Sequence, residues 1–290
     1  MNIIKIDKTE IEIPKIIWMY WHQGLDNAPF LVKKCIESWI EQNKDWEVYI
    51  LNKENLHEYI NIDLTDDKIS KIVLANYSDL IRMKLLYTYG GIWADATTYC
   101  TKPLNSWIIE YSKSGFFSFI HEKPKGLPAS WFLISQKDCF ILKEVYRRKI
   151  NYWNNNNLSN IGYIKRYVRK WTGKLLNKDI NTIKYWFHPF VTKVLKIHPY
   201  FVMHYIMYDL IQNNKQANQI WKNTKKMDDV APHKLKRIGF LNKLDENAKN
   251  IIDNEDIPMF KLTYKKYDTS KYTEDSILYY LFEGRFKPSP

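Results

Sequence analysis

The chain has 290 residues, is 45% hydrophobic and 16% aromatic, and carries 44 Lys and Arg against 32 Asp and Glu, a net charge of +12. That composition excludes a disordered chain and leaves room for one large domain or a core with an appended part. The positive balance favours anionic partners: nucleic acid, an anionic membrane surface or phosphorylated substrates.

"IPKIIWMYW" (Ile13 to Trp21) is β-branched and aromatic and reads as a buried strand. After the loop "QGLDNAP", Phe30 to Gln42 carries Leu31, Cys35, Ile36 and Trp39 at helical spacing. Trp46 to Leu51 reads as a second strand, and "NKENLHEYI" as a short helix capped by Asn52. Strand, helix, strand, helix is the order of a parallel α/β sheet. A long helical segment runs from Lys68 to Tyr89. Gly90 or Gly91 ends it in a left-handed conformation, and "GGIWADA" leads into a strand. Gly115 to Ile120 and Ser130 to Ser135 are further strands with antiparallel character, followed by a helix from Asp138 to Trp153.

After the asparagine run 154–157 the composition shifts. Residues 158–230 are rich in Lys, Tyr, Trp and His, with helical patterns such as "HPYFVMHYIMYDLI", and read as a helical insertion. Met259 to Tyr267 is a strand or loop, and Thr273 to Gly284 a capped helix. The expected division is a core over 1–153, a helical part over 154–230 and a C-terminal part over 231–290. Cys35, Cys100 and Cys139 are odd in number and widely spaced, which argues against a zinc site or a disulfide framework. The N-terminus lacks an apolar stretch of signal-peptide length, and no run approaches a membrane span of roughly 18 residues. The expected location is the cytoplasm, peripheral at the inner membrane face.

The chemistry gathers in "SDLIRMKLLYTYGGIWADAT". Asp79 and Arg82 are three apart and share a helix face leading toward Gly90. They read either as a surface ion pair or as a site converging on the C-terminal end of the next strand, where open α/β sheets bind ligands. Strand alternation sets Trp93 and Asp95 on one side and Ile92 and Ala94 on the other. Asp95 reads as a strand-end cap, as an acceptor for sugar hydroxyls, or as a ligand for a hard cation bridging to a diphosphate.

These residues resemble the signature of sugar-nucleotide-dependent glycosyltransferases of the capsular-polysaccharide-synthesis type. That family is related to the DXD-containing transferases that include yeast mannosyltransferases and clostridial toxin glucosylation domains. "IPKIIWMYWHQGLDNAPFLVKKCIESW" resembles its opening block and "PMFKLTYK" its C-terminal block, in the expected order. The resemblance implies a GT-A fold: α/β, a Rossmann-like mixed sheet with a helical subdomain. It implies a retaining hexosyltransferase that uses a nucleotide-diphosphate sugar, UDP-sugar favoured, and a polyprenyl-linked oligosaccharide acceptor of a capsular or cell-surface polysaccharide.

By that resemblance Trp18 stacks on the donor base beside Tyr20 and Trp21. Asp79 and Arg82 contact the donor sugar and phosphate, and Gly90, Gly91, Asp95, Ala96, Thr97 and Lys261 complete the donor site. Asp79, Arg82 and Asp95 are the implied catalytic residues. Asp95 is the implied ligand for Mn or Mg, but Thr97 stands where the second acid of DXD falls, and Phe260 stands where the C-terminal block has His. Threonine is a much weaker ligand than carboxylate for these ions. Arg82 and Lys261 are the alternative means of neutralising the leaving diphosphate, and His233 is an alternative ligand.

Trp153, Trp171, Trp186 and Trp221 offer an acceptor platform or belong to the core, the commoner place for such aromatics. The positive charge suits peripheral contact with an anionic membrane. The competing class is a degenerate transferase that binds polysaccharide or nucleic acid without catalysis. Aromatic and basic residues suit stacking on single strands, but no RNA-binding signature is present, so no nucleic acid is expected.

Overall fold

The computed structural model describes residues 11–122, 126–156 and 163–284. Strand β1 (Ile16–Tyr20) opens the chain, followed by α1 (Phe30–Gln42) and β2 (Glu47–Leu51). Next come α2 (Asp66–Lys71), α3 (Leu74–Tyr89), β3 (Gly91–Ala94) and β4 (Thr98–Cys100). The chain continues through α4 (Ile108–Ser112), β5 (Phe116–Ile120), β6 (Pro128–Ser135), α5 (Phe140–Asn155) and α6 (Tyr163–Leu176). It finishes with α7 (Val202–Asn213), α8 (Lys215–Asn223), α9 (Lys234–Ile238), α10 (Glu246–Asp253) and β7 (Met259–Lys261).

The main sheet has the order β2-β1-β3-β6-β5. β2, β1 and β3 run parallel, whereas β6 is antiparallel to both β3 and β5. This is the α/β mixed sheet that the sequence leads one to expect. Both faces are covered, which is why its strands are nearly continuous apolar runs. Ile17, Met19, Ile92 and Ala94 point to one face and pack with α1 and with residues 235–282. Trp18, Tyr20, Trp93 and Leu133 point to the other and pack against α3, α5 and α7. That second cluster runs from β1 through Trp153 to Ala217, so α7 and α8 share a core with the first half of the chain. A third, smaller cluster around Trp186, Ile197 and Tyr205 lies beneath α6.

Three elements differ from the sequence reading. The expected helix from Lys68 to Tyr89 is two helices, because the β-branched pair Ile72 and Val73 is extended between α2 and α3. The segment after Asn52 is a single 3-10 turn, Leu56–Glu58, with the Asn52 carboxamide oxygen accepting from the backbone N–H groups of Glu54 and Asn55. Near the C-terminus the cap is Ser276 rather than Thr273, and it opens a short helical turn, Ile277–Tyr279, that runs on into Tyr280–Gly284. All three cysteines are buried and unpaired. Among the described residues no helix is long and apolar enough to cross a membrane.

β4 and β7 form a separate two-stranded sheet in which Thr98 pairs with Lys261. The segment read as strand or loop is thus a strand for three residues, and its last residue comes to lie beside Asp95 across more than 160 positions of sequence.

Candidate active site

Because β1 and β3 are parallel, their C-terminal ends lie at the same sheet edge. Trp18 pairs with Trp93, so Tyr20 and Asp95 end their strands side by side. A cleft of about 520 Å³ opens there, a size suited to a small-molecule ligand. It is lined by Tyr20 and Trp21 from β1, Asp79 and Arg82 from α3, and Asp95, Ala96 and Thr97 after β3. Lys261 and Tyr264 line it from the C-terminal part, and His121, Trp131 and His204 line it as well.

A chain of alternating charges runs along its floor. Lys149 of α5 donates from Nζ to Asp79 Oδ2 at 2.7 Å and to the Asn76 carbonyl at 3.1 Å. Asp79 Oδ1 lies 3.1 Å from Arg82 Nη1. Arg82 also donates to the Ser130 carbonyl at 3.0 Å, to Ser78 Oγ at 3.1 Å and to Asp95 Oδ1 at 3.3 Å. Its guanidinium lies 5.0 Å from the centre of the Trp93 ring. The Trp93 indole N–H donates to Asp95 Oδ1 at 2.9 Å. Lys261 Nζ donates to Asp95 Oδ2 at 2.9 Å and to Thr97 Oγ1 at 2.6 Å. Three cations thus alternate with two carboxylates, and the excess is positive.

The electrostatics follow from burial and pairing. Burial by itself raises the Asp95 carboxyl, but Lys261 and then Arg82 outweigh it and hold it below the ordinary carboxylate value. Lys149 is fully buried, and desolvation brings it down to about 8 against the opposing pull of Asp79. Asp79 and Arg82 are both buried, so the ion pair is an interior one rather than a surface one. Removing either end of the Lys149–Asp79 pair would strand a buried charge, at a cost of about 3–5 kcal/mol.

Asp79, Arg82, Asp95, Ala96, Thr97, Tyr20 and Lys261 therefore meet in one cleft. Three residues of the implied donor set do not. Trp18 lies two residues short of the strand end, buried in the core; its indole N–H donates to the Gly90 carbonyl at 3.0 Å and its ring stacks on Tyr49 at 4.8 Å. It cannot offer a free face to a base. Trp21, just past the strand end, lines the cleft with its ring edge-on to Tyr264 at 5.1 Å, and supplies the aromatic surface instead. Gly90 and Gly91 sit at the N-terminal end of β3, away from the cleft. Their role is steric: a Cβ on Gly91 would come within 2.5 Å of the Ile16 carbonyl oxygen, and one on Gly90 within 2.8 Å of the Lys137 nitrogen. Both have positive φ, though Gly90 with φ 75° and ψ −163° is not left-handed helical.

The donor set does not fit a hard divalent cation. Asp95 commits one oxygen to Trp93 and Arg82 and the other to Lys261, and Thr97 accepts from the same lysine. Among the described residues no group of three or more His, Cys, Asp or Glu could hold a metal ion. His233 lies outside the cleft lining, its Nδ1 2.7 Å from the Asp229 carbonyl and its ring edge-on to Trp131. Of the four tryptophans offered as a platform, none lines this cleft: Trp153 and Trp186 are core, and Trp171 is exposed on α6.

Two features escaped the sequence reading. Lys149 occupies a position four from Val145 and four from Trp153, on the buried stripe of α5; a lysine in that register was a legible signal. Also lining the cleft, His121 has its Nδ1 2.7 Å from Asp229 Oδ2, and Asp229 is held below its ordinary value because His121 and the Glu122 N–H overcome its burial. His121 Nε2 is buried and has no hydrogen-bond partner among the described residues. His204 beside it is buried, which brings it down to about 3 and keeps it neutral.

The chain matches the sequence model of a family described as capsular polysaccharide synthesis protein over residues 2–168 and 163–281. The O-glycosyltransferase braB of Annulohypoxylon truncatum is 29% identical over 97 residues, 29% of this chain and 23% of that protein. The initiation-specific alpha-1,6-mannosyltransferase of Candida albicans is 28% identical over 103 residues, 33% of this chain and 27% of that protein. The matched stretch thus spans about a quarter of the length of these curated relatives. Among solved structures, the PaToxG glycosyltransferase overlays at a TM-score of 0.40 and 16% identity, covering 83% of this chain and 84% of that one.

Proposed function

We propose, from the premise that the chain belongs to the capsular polysaccharide synthesis protein family, that it is a retaining glycosyltransferase. It moves a hexose from a nucleotide-diphosphate sugar, UDP-sugar favoured, to a polyprenyl-linked oligosaccharide of a cell-surface polysaccharide. The observation that carries this reading is the run Lys149–Asp79–Arg82–Asp95–Lys261 at the C-terminal ends of parallel strands. Such a run combines carboxylates that accept hydrogen bonds from hydroxyls with an excess of positive charge that suits a diphosphate.

In the reaction the bond between the sugar C1 and the diphosphate oxygen breaks and a bond to the acceptor oxygen forms. The barrier falls if the negative charge growing on the leaving group meets preorganised cations. Lys261 and Arg82 fill that role. Both oxygens of Asp95 are held by donors, which suits orienting the donor and not attacking C1. We therefore assign front-face displacement, the leaving phosphate taking the acceptor's proton. Trp21 and Tyr264 give the base an aromatic corner. The part of the cleft lined by His121 and His204 is assigned to the acceptor.

Purified protein incubated with UDP-sugars is expected to release UDP slowly, and Asp95→Asn to lower that release by about 10²–10³-fold in protein that remains folded at the assay temperature. Full release by Asp95→Asn would remove Asp95 from the donor site. Donor binding without turnover in the unaltered protein would return the chain to the class of non-catalytic binding proteins.

A further inference from the structure

The charge of this chain is not spread evenly. Residues 166–200 hold eight Lys and Arg and a single acid, Asp179, and so contribute +7 of the total +12. The same stretch is unusually apolar at its surface. Of the fifteen large hydrophobic side chains exposed among the described residues, seven lie between 167 and 200.

The helix α6 organises both properties. Val168 and Leu176 pack inward on the cluster around Trp186. Tyr167, Trp171 and Leu175, each four residues from the next, form a neighbouring stripe that is more than half exposed. Lys170 and Lys174 border that stripe on its outer side, with Lys174 Nζ 4.8 Å from the centre of the Trp171 ring. Phe190 and Val194, also four apart and more than half exposed, repeat the pattern where the chain returns.

We propose that α6 and the chain up to Tyr200 form a docking surface for an anionic lipid bilayer, lying on it and not crossing it. The composition selects this occupant. Exposed aromatics beside cations would also suit a polyanionic polymer, but Leu175 and Val194 have no stacking face for a base or sugar. Exposed aliphatic groups bordered by lysines match the acyl and headgroup layers of a membrane interface. The surface also leads to the cleft. Tyr200 lines it, and Arg166 and Arg169 line an adjoining cavity of about 640 Å³ that contains no Asp or Glu. A substrate anchored in the bilayer would meet the protein on this side. The inference stands apart from the donor reading, since a membrane surface is recognised by charge and apolar area alone.

The test is co-sedimentation of the full-length protein with vesicles made of equal parts phosphatidylglycerol and phosphatidylcholine, or of phosphatidylcholine alone. The expected result is binding to the anionic vesicles, little to the neutral ones, and loss of binding at high salt. Trp171→Ser with Leu175→Ser should weaken partition at least about tenfold and leave melting temperature and UDP release unchanged. Lys170→Glu with Lys174→Glu tests the charge of the same surface while every apolar side chain of the stripe is kept. Equal binding to both vesicle types, binding unaffected by both pairs of substitutions, or no binding at all would overturn the proposal. So would dimerisation abolished by the same substitutions, which would make the surface a contact with a second copy. Binding to dextran sulfate or single-stranded DNA in place of vesicles would likewise overturn it.

Discussion

Lys261 is the residue on which the cleft turns. Its ammonium is the largest influence holding Asp95 below the ordinary carboxylate value against burial. It also occupies the carboxylate oxygen that a cation from solution would otherwise take. Lys261→Ala should therefore do two things. Turnover should fall by about 10²–10³-fold through lost leaving-group stabilisation. The acid limb of the rate profile should also move to higher pH. A carboxylate with a depressed folded value contributes stability that is present above its unfolded value and lost as pH falls through the folded one. Without Lys261 the two values converge, and Asp95 protonates at a higher pH. A pH–rate profile that keeps its acid limb in Lys261→Ala would show that Asp95 is not governed by this lysine. At this scale spacing put Asp79 and Arg82 on one helix face leading to Asp95 but left a surface ion pair and a strand-end cap open, and it was the resemblance of the whole helix-turn-strand block that named them as a site. The His121–Asp229 pair was not, since 108 positions separate its members and long-range contacts such as the bridge between Ile120 and Asp228 bring them together.

The turn from α3 into β3 shows how an element can serve the site from its far end. Gly91 has φ +94° and a backbone so near Ile16 that a methyl group would meet the Ile16 carbonyl oxygen at 2.5 Å. Two costs add there: a conformation that L-residues rarely adopt and a contact with backbone that cannot swing away. Gly91→Ala should destabilise the protein by about 2–3 kcal/mol, roughly 5–10 °C in melting temperature. Because the glycine lies at the opposite end of the strand from Asp95, UDP release per folded molecule at low temperature should be preserved. A large loss of turnover in stable protein would restore Gly91 to the donor site. Trp18 belongs to the same lesson. Its residue type suits a stacking platform, but a strand advances about 3.3 Å per residue. Two residues before the edge is core, and the aromatic that reaches the cleft is the half-buried Trp21. Strand identity was readable from the apolar run; the position of the strand end decides function, and composition marks it less sharply.

Across the whole molecule, the cleft exists because distant parts of the chain are tied to one sheet edge. α1 and residues 235–282 share the core on one face, and the β4–β7 pairing then carries Lys261 to Asp95. The parallel half of the sheet could be read ahead from alternating strands and helices, and the resemblance implied the mixed sheet. The closure by the C-terminal strand could not, since three residues of β-character fix no partner. The consequence is chemical. Lys261 pairs with both Asp95 and Thr97, so the cleft carries a positive excess built into the chain. Nucleoside diphosphates should then bind without added metal. At a hundredfold excess over the dissociation constant the linkage amounts to about 2.7 kcal/mol, which for a chain of this size corresponds to roughly 5 °C or more. UDP with EDTA should raise the melting temperature as much as UDP with Mn, uridine should leave it unchanged, and Lys261→Ala should abolish the shift. If the shift in the unaltered protein appears only with Mn, the lysine does not substitute for a metal, and Asp95 must release it when donor binds.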